Sequence, residues 1–369
     1  MALFKNELEK KKEIHRQFWQ GKGPCLIFIT TPELANLNPD TETLDKYDVV
    51  GYKEKFYSPV KMWEAEVRRA REVLHWPTDG IATVRPNLGT VFIPAMVGQD
   101  FQILENQMPQ AGQPLSIEEI RNIRLKDVMN SQLMHLAEEF YAVHKQSNEP
   151  DIAAYLPDTQ GVFDFANMIY GEHIFLDMGR KHPNVKDVMD KCFELYVHVS
   201  QHLKQVLGEP ANSMIHGHGT PQGLFFPNAG VRMSEDSTTL VSTEMIEEFI
   251  LPYIIKAAEP FGGVFIHYCG HHTGLFEKLC ELDCVKAVDL GNSGDYDLEW
   301  LLEICTKTDT VFYSRVSPED RKEKWEAYIR RIAKVQNKTK ARCVLRTLVQ
   351  PIEKAECQEM LTMWHSLTQ

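Results

Sequence analysis

The stretch that decides the fold is Gly263-Val264-Phe265-Ile266-His267-Tyr268-Cys269-Gly270, an apolar run that ends in His-x-Cys-Gly. A run of this length, rich in β-branched and aromatic residues and bounded by glycines, is typical of a buried strand. Its carboxyl end carries a histidine and a cysteine, two side chains that bind metals or react. Because α/β folds place their chemistry at the carboxyl ends of strands, the sequence predicts a functional site at His267 and Cys269.

Seven other segments also have the composition of strands, and segments with helical periodicity lie between them. The eight candidate strands are 25–30, 80–84, 151–155, 213–216, 263–267, 285–290, 310–315 and 342–347. Strand–helix alternation predicts a parallel sheet. Eight such units predict an α/β fold of the (β/α)8 TIM barrel type, as a single domain over residues 1–369 with helical insertions in the first half. The main alternative is a doubly wound open sheet, which usually carries a Gly-rich phosphate-binding turn after its first strand, and none follows 25–30.

Composition excludes several classes of partner. The chain has 369 residues, a hydrophobic content of 43% and a net charge of −12, which argues against binding to nucleic acid or to an anionic membrane surface. The first 20 residues are polar, without the apolar region of a secretory signal, and no apolar run is long enough for a membrane span. We therefore expect a cytoplasmic protein whose eight cysteines form no disulfides.

Polar side chains follow nearly all of the candidate strands. They are Arg85 and Asn87 after the second strand, Asp158 and Gln160 after the third, His216 and His218 after the fourth, His267 and Cys269 after the fifth, Asp289 and Asn292 after the sixth, Arg315 after the seventh and Arg346 after the eighth. Strand ends border loops, so some polarity is expected there. Histidine, cysteine, arginine and aspartate together are the types that bind metals, move protons and bind anions.

His267 and Cys269 are predicted to bind zinc as a pair. Residues two apart on an extended chain point the same way, so a nitrogen and a sulfur can reach one ion. Zinc accepts such a mixed set and keeps an open position in catalytic sites. Asp289 is the candidate third ligand, and Cys343 is a weaker one because it begins its strand. The other interpretation is a hydrogen-bonded histidine beside an ordinary cysteine.

Four further residues are candidates for ligand binding or proton transfer. Arg315 and Arg346 are predicted to point into the mouth of the barrel, where guanidinium groups need carboxylate or phosphate partners. The partner can be an anionic substrate or an internal acid such as Asp289, and the sequence leaves both open. His216 and His218 are candidates for acid–base chemistry or for further metal ligation.

Four stretches together resemble a known family. They are Trp76-Pro77-Thr78-Asp79-Gly80 with Pro86-Asn87-Leu88-Gly89-Thr90 and Ile93-Pro94-Ala95; Asp158-Thr159-Gln160-Gly161-Val162-Phe163-Asp164-Phe165-Ala166 with Gly171-Glu172; Ser234-Glu235-Asp236-Ser237 through Phe249-Ile250-Leu251-Pro252-Tyr253; and His267-Tyr268-Cys269-Gly270. In this order they resemble the uroporphyrinogen decarboxylase superfamily, and most closely its methyltransferase-like branch. That branch includes the zinc-dependent methylcobamide:coenzyme M methyltransferases.

The resemblance implies a (β/α)8 barrel with a funnel-shaped site at its carboxyl face. In the methyltransferase branch, the histidine and cysteine that match His267 and Cys269 bind zinc with a later cysteine. The zinc activates a thiol, which accepts a methyl group from a corrinoid protein. The later cysteine is expected near Leu348 or Val349, and neither can bind a metal, so Asp289 or a histidine would have to complete the site.

Two other departures concern the decarboxylases. Their arginine-rich motif after the first strand is missing, because Thr30-Thr31-Pro32-Glu33-Leu34 contains no arginine. The tyrosine expected in the helix after the third strand is replaced by Asn167. Porphyrinogen decarboxylation is therefore not expected.

Three functions remain as hypotheses. The first is a corrinoid-linked methyltransferase in which zinc activates a thiol acceptor. Whichever function holds, a homodimer would be ordinary for this fold. The second is a metal-free decarboxylase or lyase that acts on a small anionic substrate. The third is a non-catalytic binder of a corrinoid or tetrapyrrole. The candidate site residues are His216, His218, Asn87 and Gln160 for catalysis; Arg85, Asn167, Arg315 and Arg346 for substrate binding; and His267, Cys269 and Asp289 for the metal.

Overall fold

The computed structural model of the chain describes residues 6–30, 52–103, 108–349, 351 and 353–369. Within these ranges it is a mixed α/β structure. The strands are β1 (Leu26–Phe28), β2 (Ile81–Val84), β3 (Phe101–Gln102), β4 (Gln110–Ala111), β5 (Ala153–Ala154), β6 (Met214–His216), β7 (Gln222–Phe226), β8 (Val231–Ser234), β9 (Val264–Tyr268), β10 (Val285–Leu290), β11 (Val311–Arg315) and β12 (Cys343–Arg346). The α-helices are α1 (Glu7–Trp19), α2 (Tyr52–Phe56), α3 (Pro59–His75), α4 (Phe92–Met96), α5 (Ile117–Arg121), α6 (Leu125–Met129), α7 (Gln132–Gln146), α8 (Val162–Tyr170), α9 (His173–Gly179), α10 (Asn184–Leu207), α11 (Thr243–Met245), α12 (Leu251–Ala258), α13 (Leu275–Cys280), α14 (Leu298–Thr308), α15 (Trp325–Thr339) and α16 (Lys354–Leu367).

The largest sheet has six parallel strands in the order β1-β12-β11-β10-β9-β8. Helices connect most of its consecutive strands, as parallel pairing requires. The candidate strands at 25–30, 263–267, 285–290, 310–315 and 342–347 all lie in this sheet. The prediction of a parallel sheet built from alternating strands and helices is therefore confirmed for this half of the fold.

The second sheet corrects the prediction for the first half of the fold. Its order is β5-β2-β7-β6, and β7 runs antiparallel to both β2 and β6. The candidate strand at 213–216 is therefore the first arm of an antiparallel hairpin, and not a parallel barrel strand. The parallel neighbour of β9 is instead β8, which the sequence analysis did not identify.

The two sheets share one interior. Alternate residues of the parallel strands, such as Phe28, Phe265 and Tyr313, pack against Leu224 and Phe226 of the β6–β7 hairpin in one buried cluster. Phe18 and Trp19 of α1 belong to the same cluster. The opposite faces of the strands pack against the helices in a larger apolar cluster.

Residues before β2 join the two sheets at one seam. The Asp79 amide donates a hydrogen bond to the Ile27 carbonyl (3.0 Å), and the Asp79 carboxylate accepts one from the Ile27 amide (2.8 Å). On the other side, no strand ladder joins β5 to β8 within the described ranges. The hydrogen bonds thus show two sheets around a common core, and they do not show a closed barrel.

Helical periodicity between the candidate strands predicts helices over residues 246–257, 318–335 and 351–365, and all three are present with shifted bounds. The helix predicted around residues 246–257 is α11, a π-helical turn (Ile246–Ile250) and α12 in succession. The segment 318–335 corresponds to α15, which begins later, and the segment 351–365 corresponds to α16. In the described parts of the chain, none of the helices combines the length and the hydropathy of a membrane span.

The amino-terminal helix is tied to the sheet by His15, whose side chain is completely buried. Its Nδ1 accepts a hydrogen bond from the Phe225 amide (3.0 Å), so the proton lies on Nε2, which donates to the Asp79 carbonyl (2.9 Å). Burial lowers the pKa of His15 from its usual 6.5 to about 4, although the Asp79 carbonyl partly opposes the shift. A second proton would have to displace the Phe225 amide.

This geometry predicts acid sensitivity. The unfolded state takes up a proton on His15 below pH about 6.5 and the folded state does so only near pH 4, so stability falls as the pH decreases through that window. The contribution is roughly 3 kcal/mol of unfolding free energy. Urea unfolding at several pH values should show a shallower loss of stability in His15→Gln than in the wild type. His135→Gln, which changes an exposed histidine, should follow the wild type, and an equal slope in all three proteins would refute the assignment.

Candidate functional site

Strand register brings the polar strand ends together. His267 on β9 is the register neighbour of Asp289 on β10 and of Ser234 on β8, and Arg315 on β11 is the neighbour of Arg346 on β12. The buried cluster that the two sheets share, here called the inner cluster, contains Phe265, Ala287, Tyr313 and Val344. These residues lie two positions before His267, Asp289, Arg315 and Arg346 on the same strands. Because side chains alternate along a strand, all four point into the shared interior. The prediction that strand ends converge is therefore confirmed for these residues.

His267 uses both edges of its imidazole ring. Its Nδ1 lies 3.0 Å from Asp289 Oδ2, while its Nε2 lies 3.4 Å from Cys269 Sγ and 3.6 Å from Asp236 Oδ1. A carboxylate at Nδ1 holds the proton there, which leaves the lone pair of Nε2 directed toward Cys269 and Asp236. This is the arrangement in which proteins orient a metal-binding histidine.

Asp236, His267 and Cys269 offer three ligand atoms within 4.8 Å of one another. Asp236 Oδ1 also accepts a hydrogen bond from the Cys269 amide (2.5 Å), which fixes the carboxylate beside the thiol. Partial burial, together with the nearby carboxylates of Asp236 and Asp289, raises the pKa of Cys269 to about 11. The predicted third ligand, Asp289, lies on the opposite edge of the ring, so the geometry favours Asp236 as the partner of His267 and Cys269.

Asp236 is held in place by reciprocal hydrogen bonds between residues 235–237 and Asp164 in the first turn of α8. The Asp164 carboxylate accepts hydrogen bonds from the amides of Asp236 (2.8 Å) and Ser237 (2.7 Å), while the Glu235 carboxylate accepts from the Asp164 amide (3.3 Å) at the start of α8. A Cβ on Gly161 would lie 2.2 Å from Glu235 Oε1, so only glycine fits there. Two of the stretches that carry the family resemblance are therefore joined through these hydrogen bonds.

The inner edge of His267 faces a second group of residues. Asp289 Oδ2 lies 3.2 Å from His218 Nε2 and 3.3 Å from an Arg346 nitrogen, and the rings of His218 and His267 are 4.0 Å apart. Burial raises the pKa of Asp289, but His267 and Arg346 overcome that effect and hold it below its usual value. His218 has a positive φ of 43°, a strained backbone angle for a residue with a side chain.

His216 and His218 are held neutral. Burial lowers the pKa of both imidazoles well below the usual value, and positive charge from Arg232 and Arg346 adds to the effect. His216 lies on β6, two residues after Met214 of the inner cluster, and contacts the ring of Tyr155. The β6–β7 hairpin, found where a parallel strand was predicted, therefore also places both histidines at the interior.

The remaining predicted residues divide into two groups. Arg85 lies 4.0 Å from Asp158 Oδ2, and Gln160 Nε2 donates to Asp158 Oδ1 (2.7 Å), so both border the interior through Asp158. Asn87 donates to Glu66 on α3 (3.5 Å). Asn167 on α8 donates to Ser237 Oγ (2.8 Å), next to Asp236.

Two site residues, Asp236 and Arg232, were not predicted from the sequence. Arg232 donates to Asp158 Oδ1 (2.8 Å) and to Ser234 Oγ (2.8 Å). Both residues depend on β8, and the alternation of Val231-Arg232-Met233-Ser234 was the signal that could have identified it. The arginine-free segment Thr31–Leu34, by contrast, lies outside the described residues.

Gly291 shapes the space around the thiol. A Cβ at this position would lie 2.3 Å from Cys269 Sγ and 3.2 Å from its Cα. If Cys269 binds zinc as the sequence predicts, Gly291→Ala should displace the Cys269 side chain and weaken zinc binding by about 10-fold or more, with only a small change in Tm. Zinc titration against a competing chelator measures this change. Gly23→Ala, where a Cβ approaches no atom closer than 3.6 Å, is the control. Unchanged zinc affinity in Gly291→Ala would contradict the expectation that Gly291 keeps the Cys269 thiol in position to bind zinc.

Comparisons with known proteins find the fold but no family. No family model matches the chain, and no curated protein matches it. Among solved structures, a methyltransferase from Methanosarcina mazei shares 12% identity and a TM-score of 0.64, covering 95% of this chain and 96% of the other. A B12-independent methionine synthase from Shewanella sp. W3-18-1, solved in complex with selenomethionine, shares 13% identity and a TM-score of 0.44, covering 94% of this chain and 96% of the other. The chain therefore has the same overall fold as the first of these structures.

Proposed function

We propose that the protein is a zinc-dependent methyltransferase that activates a thiol acceptor at the carboxyl ends of its strands. The observation that carries this proposal is the ligand group formed by His267 Nε2, Cys269 Sγ and Asp236 Oδ1, with the other ring nitrogen fixed by Asp289. The resemblance to the methyltransferase-like branch and the fold shared with a methyltransferase support it. We also propose that the two sheets together form one (β/α)8 barrel.

The donor set fits zinc. In a tetrahedral site with Zn–N, Zn–O and Zn–S bonds of about 2.0–2.3 Å, ligand atoms lie roughly 3.3–3.8 Å apart. The separations of 3.4 Å between His267 Nε2 and Cys269 Sγ and 3.6 Å between His267 Nε2 and Asp236 Oδ1 fall in this range. Three protein ligands leave a fourth position open, which is the arrangement of catalytic zinc sites.

The chemistry that zinc would supply when bound is the deprotonation of a thiol at neutral pH while the sulfur stays nucleophilic. The residues of the chain supply the surroundings. Asp289 keeps Nδ1 of His267 protonated, and the hydrogen bonds at Asp164 hold Asp236 in place. The ring of His218 packs 4.0 Å from that of His267 and covers its inner side. We propose that the methyl group comes from a corrinoid carried by a partner protein.

A methyl-transfer assay tests the proposal. The zinc-loaded protein is incubated with methylcobalamin as the probe donor and a small thiol as the acceptor, and the loss of methylcobalamin absorbance is followed. The proposal predicts thiol-dependent demethylation above the protein-free rate, and loss of that rate in Cys269→Ser. If a protein with one zinc per chain, assayed with a panel of thiols, demethylates no faster than the protein-free mixture, the proposal fails.

A metal-free lyase is the second candidate, and one observation favours it. Asp289 bridges His267 and His218 within hydrogen-bond distance, so a proton can pass between two buried imidazoles. Neutral imidazoles are general bases, and a small anionic substrate would supply the proton. This function requires no zinc and survives in Cys269→Ser, which distinguishes it from methyl transfer.

A further inference from the structure

Four guanidinium groups and two buried carboxylates face the shared interior. The arginines are Arg85, Arg232, Arg315 and Arg346, which we call the interior arginines, and the carboxylates are Asp158 and Asp289. Arg232 belongs to this set because its register neighbour on β9, Phe265, lies in the inner cluster. The interior therefore carries more positive than negative charge.

The excess of positive charge in the interior is not cancelled by the neighbouring acidic residues. Glu66 is already paired with Arg69 at 3.0 Å on α3. The carboxylate of Glu235 lies at the start of α8, where it accepts a hydrogen bond from the Asp164 amide (3.3 Å). Asp236 lies at the outer edge of His267 and belongs to the ligand group described above. The side chain of Arg315 forms no ion pair with any residue that the structure describes.

The interior arginines form two pairs. Arg315 and Arg346 are register neighbours on β11 and β12, and the charge of Asp289 acts on both. Arg85, which directly follows β2, and Arg232 on β8 approach the two oxygens of Asp158 at 4.0 and 2.8 Å. In the six-stranded sheet, β8 and β12 are separated by three strands, so the two pairs border different sides of the interior.

Two polar atoms at the second pair have no hydrogen-bond partner. They are Arg232 Nε and His216 Nε2, which are buried in residues that are only 8% and 6% exposed. Such groups are rare in folded proteins, because each costs the free energy of its lost hydration. A cavity of about 10 Å³ borders both residues. This cavity is lined also by Glu209 and Gly230 and has room for at most one water molecule, so an anionic group would have to reach Arg232 and His216 from the shared interior.

We infer that the substrate of this site carries two anionic groups, one bound by Arg315 and Arg346 and the other by Arg85, Arg232 and His216. Two added negative charges would balance the interior, and paired guanidiniums bind carboxylate-like groups with good geometry. The inference rests on the proposed function for the position of the reacting atom, which lies near Cys269. The substrate class is therefore that of small acids with two negative charges.

Isothermal titration calorimetry with simple acids tests the inference. The probes are succinate, which has two charges, and its monomethyl ester and propionate, which have one each. In the wild-type protein we expect succinate to bind at least about 10-fold more tightly than either monoanion. In Arg232→Gln this advantage should fall to about 2-fold or less, and Arg232→Lys should restore part of it. Arg331→Gln, which removes a cation paired with Glu323, is the matched control and should behave like the wild type.

The outcomes separate the two proposals. Equal affinity for succinate and the monoanions in the folded wild type, or no binding of any probe, overturns the inference whether or not zinc is bound. A preference for succinate in a protein that takes up no zinc would sustain the two-anion site and remove the metal-based function. Circular dichroism of each variant shows that it is folded before its binding is interpreted.

Discussion

Cys269→Ser is expected to reduce the affinity of the protein for zinc by at least about 100-fold, because it removes one of the three proposed ligands and the only sulfur among them. The serine hydroxyl is nearly isosteric but stays protonated at neutral pH and is a poor zinc ligand. Cys269 is exposed, so the fold should tolerate the change with little loss of stability. Competition with a chromophoric chelator measures the affinity, and elemental mass spectrometry measures the zinc content.

Cys284→Ser is the matched control, since Cys284 is also partly exposed but lies before β10, at the amino end of that strand. We expect it to keep the zinc affinity of the wild type. A wild-type protein that binds zinc equally well with and without the Cys269 thiol would show that the ion lies elsewhere.

Asp289→Asn is expected to lower the free energy of unfolding by about 3 kcal/mol and zinc affinity by 10- to 100-fold. Asp289 is 1% exposed, and its carboxylate contacts His267, His218 and Arg346. The neutral amide leaves the Arg346 guanidinium buried without its nearest counter-charge. It also no longer fixes the proton on Nδ1 of His267.

A double-mutant cycle separates these two effects. Adding Arg346→Met to Asp289→Asn removes the unpaired charge, so stability in urea should recover by more than 1 kcal/mol while zinc affinity stays low. Asp295→Asn, at an exposed aspartate after β10, should change neither quantity. If Asp289→Asn is as stable as the wild type, the carboxylate does not hold the site together.

The second half of the fold could be predicted from the sequence because its signals are local. The strands from β9 to β12 are apolar runs separated by one helix each, so their parallel register follows from the alternation alone. The rule that side chains alternate along a strand then places His267, Asp289 and Arg346 on one face. That rule predicts which residues meet, but not which atoms of His267 they contact.

The first half could not be predicted in the same way. The segment Gly217-His218-Gly219-Thr220-Pro221 has the composition of a loop, and it is the turn of an antiparallel hairpin whose second arm pairs with β2. That pairing joins residues more than 130 positions apart and leaves no local pattern. Strand β8 has only four residues, two of them polar, because Arg232 and Ser234 face a charged interior.

The proposed metal ligands could also not all be predicted from the sequence. Asp236 lies beyond the end of β8, and its position depends on hydrogen bonds from its amide and that of Ser237 to Asp164, 72 residues earlier. Sequence spacing suggested Asp289 because it ends the next strand. The contact between Asp289 and Nδ1 is instead a property of the ring orientation, which only three-dimensional packing determines.

Anomalous diffraction at the zinc absorption edge, from crystals grown with one equivalent of zinc, would locate the ion itself. We predict one strong peak within bonding distance of His267 Nε2, Cys269 Sγ and Asp236, on the outer edge of the imidazole. A peak between His218 and Asp289 on the inner edge, or no peak at any of these side chains, would contradict it.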